Sequence, residues 1–162
     1  MNVGSLGEDN RIALREPVMS DKNSHSVTTL GIVGSRNWPD PQFMVDATYA
    51  CLRKYDTITT IVSGGCPQGP DRWAADQFKD HDEYDFREYL PAHQLDPSHE
   101  RYREYQVSNY HERNTLIAED SDILLAFCFE GSSGTMDTVD KARSSGKVVH
   151  VFTENHLKSE EK

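Results

Sequence analysis

The chain predicts an α/β fold: one parallel sheet of about five strands with helices on both faces. Short runs of β-branched and aliphatic residues alternate along the sequence with amphipathic segments of helical length. One run, SDILLAFCF at 121–129, is almost continuously apolar, as strands covered on both sides are. Parallel neighbours also need crossover connections, and the intervening helical segments supply them.

Each element has its own signal. VTTLGIVGS (27–35) is expected as the first strand. RNWPDP then turns the chain, its two prolines presetting the backbone. A helix is expected over 42–54, with Phe43, Val45, Ala47, Ala50, Cys51 and Leu52 on its apolar side. TITTIVSGG (57–65) is the second strand, and PDRWAADQFKDH the second helix, with Pro70 suited to its first turn. YDFREYL alternates in polarity and fits a half-exposed strand near a sheet edge. From DPSHE a helical region runs to about Asp120, with Asp96 as cap and Pro97 at the first helical position. The apolar strand at 121–129 follows. EGSSG then leads into the last helix, TMDTVDKARSSG, which Gly146 closes, and KVVHVF is the final strand. Residues 1–26, polar and poor in aromatics, are expected as a flexible leader. The folded domain should then span 27–153, with 154–162 as a polar tail.

The 162 residues carry a formal net charge of -10 and a pI near 5.1. Gripping a nucleic-acid backbone takes clustered Lys and Arg, so the balance opposes a nucleic-acid partner. Cys51, Cys66 and Cys128 form no CxxC pair, which fits a reducing, cytoplasmic setting. Cys51 and Cys128 fall in apolar stretches and are expected in the core, while Cys66 falls in a loop. No apolar run approaches the ~20 residues of a membrane span, and the first residues do not resemble a secretory signal. The seven histidines show no ligand spacing, so no metal is expected, and no cofactor either.

In an open α/β sheet, ligands collect at the carboxyl ends of the strands. Three strand-to-helix turns here are built of small residues. The first holds Gly34, Ser35 and Arg36; the second Gly64, Gly65, Gly69 and Asp71; the third Gly131, Ser132, Ser133, Gly134 and Thr135. Each leads into a helix whose first N–H groups lack partners and whose dipole favours an anion. The plainer alternative is a tight turn or close helix–sheet packing for the glycines, and capping for Ser132, Ser133, Thr135 and Asp71. Neither G-x-G-x-x-G nor GxxxxGK[ST] is present. Arg113, upstream of the apolar strand, is placed to hold a phosphate bidentately or to be an ordinary solvated helix arginine. Asn114 and His111 are weaker candidates. Tyr102, Tyr105 and Tyr110 interleave with arginines, a pattern of base stacking or, more commonly, of packing against the sheet or a partner subunit.

The stretches GIVGSRNW, IVSGGCPQGPDRWAADQF, LPAH, HERN and GSSGTMDTVDKARSSGKVVHV resemble the SLOG superfamily, above all its small YspA-like members. That superfamily also holds the Lonely Guy phosphoribohydrolases and the DprA Rossmann-like domain. The resemblance covers residues 27–152 and implies a Rossmann-like sheet that binds nucleotides or nucleotide-derived signals at its Gly-rich edge, in dimers or larger assemblies. In the Lonely Guy branch, an Arg in an M-H-E-R-K-like segment and a Glu in P-G-G-x-G-T-x-x-E support cleavage of the N-glycosidic bond of a nucleoside monophosphate. Here YHERN keeps the arginine as Arg113 and replaces the lysine by Asn114. In FEGSSGTMDT, Gly131, Gly134 and Thr135 match, the proline is missing, and Thr138 stands where the glutamate would be.

The nearest carboxylate to that position is Asp137, with Glu130 and Asp71 as further substitutes. Cleavage through an oxocarbenium-like transition state needs a carboxylate at the sugar. Two readings therefore stand. One is a binder of a nucleotide-like ligand, acting as sensor or sequestering protein. The other is an N-glycosidase that uses Arg113 with Asp137 or Asp71. DNA binding in the manner of DprA is opposed by the acidic charge.

Overall fold

A computed structural model describes residues 27–91 and 107–158. Five strands form one all-parallel sheet: β1 (Thr29–Gly34), β2 (Thr60–Gly64), β3 (Asp85–Tyr89), β4 (Ile123–Cys128) and β5 (Val148–Thr153). Their order across the sheet is β3-β2-β1-β4-β5, which is Rossmann-like. The order reverses between β1 and β4, because the chain builds outwards from β1 in one direction and then in the other. Between the strands run α1 (Pro41–Lys54), α2 (Pro70–Phe78), α3 (Val107–Asp120) and α4 (Ser133–Ser144).

Alternation along the strands sorts the core into two layers. Leu30, Ile32, Ile61, Ile123, Leu125 and Phe127 pack with Phe43, Met44, Ala47 and Cys51 of α1 and with Ala74 and Phe78 of α2. Val33, Val62, Leu124 and Ala126 pack on the other face with Ile117 and Ala118 of α3 and Val139 and Ala142 of α4. Every residue of β4 is buried, as a central strand covered on both faces requires. β3 lies at one edge and is half exposed, as its alternating sequence implies.

Several local details differ from expectation. α1 buries Met44 and Thr48 fully and leaves Val45 and Ala50 partly buried against the same core, because the stripe Phe43, Met44, Ala47, Thr48, Cys51 follows the 3.6-residue period more closely. The polar run after β5 does not begin as a tail. Glu154–Lys158 forms a short helix, α5, whose His156 accepts from the Thr153 amide through Nδ1 and packs edge-on against Phe152. Cys66 is half-buried, and Cys51 and Cys128 are buried. The expected leader and the helix start at Asp96 and Pro97 lie outside the described residues, as do Tyr102 and Tyr105. Among the described residues no helix is long and apolar enough to cross a membrane.

Candidate functional site

The three small-residue turns share one rim of the sheet but not one use. In the first, the atoms are spent on packing. The Ser35 amide donates to the Phe127 carbonyl, and the Phe129 amide donates to Ser35 Oγ at 2.8 Å. That pair of bonds ties the ends of β1 and β4 together at the point where the strand order reverses. Gly34 lies under Pro70, whose Cγ would be 2.4 Å from a β-carbon there. Asp40 caps α1 by accepting from the Phe43 amide, so this helix start already has its anion. Arg36 is exposed.

The second turn is packed more tightly still. Gly69 takes φ +74 and opens α2; a β-carbon on it would lie 2.6 Å from the Ser35 carbonyl oxygen. Gly65 faces Leu90, which leaves no room for a side chain. Gly64 makes space for two charged groups: a β-carbon there would lie 2.5 Å from Arg113 Nη1 and 2.7 Å from Asp71 Oδ2. Guanidinium and carboxyl therefore converge at the carboxyl end of β2, from α3 on one side of the sheet and α2 on the other. Asp71 is 6% exposed. Its Oδ1 lies 3.2 Å from Ser63 Oγ, and its Oδ2 accepts from the Cys66 amide at 3.3 Å. Burial pushes this carboxyl up, the Arg113 charge and the Cys66 amide pull it back only in part, and Glu88 adds to the rise, so that it sits at about 6.

The third turn is open. A β-carbon on Gly131 or Gly134 would meet no atom within 4 Å. Ser132, the N-cap of α4, makes no side-chain bond to the first-turn amides; its Oγ pairs instead with Thr135 Oγ1 at 3.2 Å. Glu130 and Gly131 take φ of 54 and 71. Proline cannot adopt such an angle, so the missing proline of the resembling motif goes with a loop of different shape. Ser133 and Gly134 are exposed and Thr135 is buried.

Asn114 joins the second turn to the third. It is 5% exposed, accepts from Arg113 Nε at 3.0 Å, and donates through Nδ2 to the Gly134 carbonyl and to Asp137 Oδ2, the latter at 3.1 Å. Asp137 is paired with Lys141 at 2.7 Å. Burial would raise the Asp137 carboxyl, but the bonds from Lys141 and Asn114 outweigh it and hold the group below its ordinary value. Arg113 also donates through Nη1 to the Tyr89 carbonyl and lies over the Tyr110 ring at 5.5 Å. A polar line thus runs from Arg113 through Asn114 to Asp137 and the start of α4, with Asp71 beside Arg113 at Gly64. His111 is exposed, and its carbonyl accepts from Lys141. Thr138, at the position of the expected glutamate, is 1% exposed and back-bonds to Gly134, so it faces the core.

Three participants escaped the sequence reading. Ser63 interrupts an aliphatic buried strand, and that was its signal. Lys141 stands four residues after Asp137, a spacing that pairs charges on a helix. Glu88 has no local signal, because only the pairing of β2 with β3 brings it beside the second turn. A hollow of about 460 Å³ opens beside that turn, lined by Gly65, Cys66, Arg72, Asp76, Phe86 and Glu88. It adjoins the polar line without containing it. Among the described residues no cluster of His, Cys, Asp and Glu is arranged to hold a metal ion.

No protein-family model, curated protein or solved structure matches this chain.

Proposed function

We propose that the protein is a SLOG-like binder of a nucleotide or nucleotide-derived molecule, acting as a sensor or sequestering protein. The observation that carries this reading is the third turn. There an uncapped helix start with open space around Gly131 and Gly134 lies next to Asn114 and, through it, Arg113. Unpartnered amides and a helix dipole favour an anion, and the guanidinium adds the charge that a sugar phosphate would pair with. Incubation with a panel of nucleoside monophosphates and related nucleotide signals tests it. Thermal stabilisation without release of free base supports binding; no stabilisation by any member of the panel sinks it.

A second reading, cleavage of an N-glycosidic bond, is favoured by one contrast. The surroundings push Asp71 up and Asp137 down, the separation that lets one carboxyl carry a proton while another stays ionised. Arg113 would hold the phosphate, Asp137 would face the developing positive charge, and Asp71 would supply the proton. Free base on chromatography, lost in Arg113→Ala and Asp137→Ala, supports this reading over simple binding.

The setting is proposed to be cytoplasmic, in keeping with three free cysteines. Self-assembly is proposed in keeping with the resemblance, with the tyrosine-bearing helix α3 as the surface. Nucleic acid is disfavoured as a partner by the acidic charge.

A further inference from the structure

The Ser63 hydroxyl has one proton and two acceptors within reach. Its Oγ lies 2.6 Å from the Ile32 carbonyl and 3.2 Å from Asp71 Oδ1. The carbonyl can only accept, so the shorter contact takes the hydroxyl proton. The longer contact is then a hydrogen bond only if Asp71 donates, which requires the carboxyl to be protonated at Oδ1. Oδ2 remains an acceptor and receives the Cys66 amide. Every contact of this buried group is satisfied by the neutral acid, whereas the ionised form would set two acceptors, Asp71 Oδ1 and the Ile32 carbonyl, against one proton.

The consequence falls on Arg113. Among the described residues no carboxylate lies within ion-pair distance of its guanidinium. Asp71 is the acid that converges with it over Gly64. We infer that Asp71 is a proton-coupled gate on anion binding at Arg113. As the neutral acid it leaves the guanidinium charge to an incoming anion, and as the carboxylate it competes for that charge. Binding therefore draws one proton from solvent onto Asp71 wherever the acid would otherwise be ionised. The other groups facing Asp71 are Glu88 from β3 and Cys66 from the turn. Glu88 repels an ionised Asp71 and so works in the same direction. The gate rests on the anion-binding reading of the site; the protonation of Asp71 does not.

The test has two arms. In the first, wild-type protein carrying ¹³C-labelled aspartate is titrated by NMR without ligand, with Asp71→Asn used only to assign the signal. The Asp71 carboxyl should titrate near 6, the value to which its surroundings push it. Titration in the ordinary aspartate range, about 4, overturns the inference. In the second arm, sulfate, which does not titrate here, is bound at pH 5.5 to 8 in buffers of different ionisation enthalpy. Wild type should take up protons on binding and lose affinity by up to about tenfold per pH unit above the midpoint. Asp71→Asn, whose amide can donate to Ser63 and accept from Cys66, should bind with no proton uptake and little pH dependence. Wild-type binding without proton uptake overturns the gate. If sulfate binds neither protein at any pH, the anion site itself fails and the gate with it, while the NMR titration still reports whether Asp71 holds its proton.

Discussion

The turns after β2 and β4 are both short and glycine-rich, GGCPQG and EGSSG, and opposite in structure. After β2 the glycines exist because their surroundings are full: Gly64 yields to Arg113 and Asp71, Gly65 to Leu90, and Gly69 to the Ser35 carbonyl. After β4, a β-carbon on Gly131 or Gly134 would meet nothing within 4 Å. One turn is an internal joint that buries a carboxyl and positions a guanidinium. The other is a surface whose helix start has no side-chain cap. Small residues at a strand end thus report close approach, and only the structure tells whether the approaching group is already part of the chain.

Substitution should break this contrast most strongly at Gly69. An alanine there meets both a left-handed backbone, φ +74, and a carbonyl oxygen 2.6 Å away that belongs to main chain. The conformational penalty and the clash together should cost about 2–4 kcal/mol. Urea denaturation of Gly69→Ala measures the loss; a variant within about 0.5 kcal/mol of wild type would mean that the turn relaxes freely and is no joint.

Asp71→Asn should act in the opposite direction, with a pH dependence whose sign is fixed. The folded carboxyl sits near 6, above its ordinary 3.8. Between those values the unfolded chain loses its proton first, so wild-type stability falls as pH rises from about 4 to 6 and stays reduced above. The amide has no such penalty, so the variant should be the more stable at pH 7, by about 1–3 kcal/mol, and lose that advantage near pH 4. Thermal denaturation of both proteins across pH 4–8 checks it. Equal differences at both ends would remove the electrostatic account.

Arg113→Ala tests the link between the two turns. The side chain donates to the Tyr89 carbonyl and to Asn114 and should add a charge-assisted bond to a bound anion. Its loss should weaken binding of a nucleoside monophosphate by about 10–100-fold, measured by calorimetry. Unchanged affinity would confine any site to the β4 turn alone.

The fold was legible because each strand announces itself twice, by composition and by the helix that follows. Even the edge position of β3 could be read from DFREY, whose alternation marks a strand covered on one side. The strand order could not be read, since it depends on which layer each crossover helix takes. The site was legible as a set of loops and one arginine, but not in its division of labour. Ser35 reads as a ligand donor and is instead the clamp between β1 and β4. Asp71 reads as a turn ligand, a possible acid or a helix-start residue, but nothing local shows that it is buried with partners, Ser63, Arg113 and Glu88, from three other elements. Burial and long-range pairing decide such roles, and neither leaves a mark in local sequence.

The smallest effect separates the two turns most sharply. Gly134 lies in the first turn of α4, has no positive φ and has free space where a β-carbon would go. Replacing it by alanine should therefore stabilise the fold, by about 0.5–1 kcal/mol, through the lower entropy of the unfolded chain and better helix propensity. Gly131→Ala, with φ +71 and equal space, should instead destabilise by about 1 kcal/mol through its backbone alone. Neither change creates a clash, so any loss of ligand affinity reports occupancy of that space rather than damage to the fold. If Gly134→Ala gains stability and loses affinity for a nucleoside monophosphate, the added methyl group stands where the anion sits. If it gains stability and binds as before, the anion does not approach the start of α4, and the case for this turn as the binding surface fails while the packed turn after β2 is untouched.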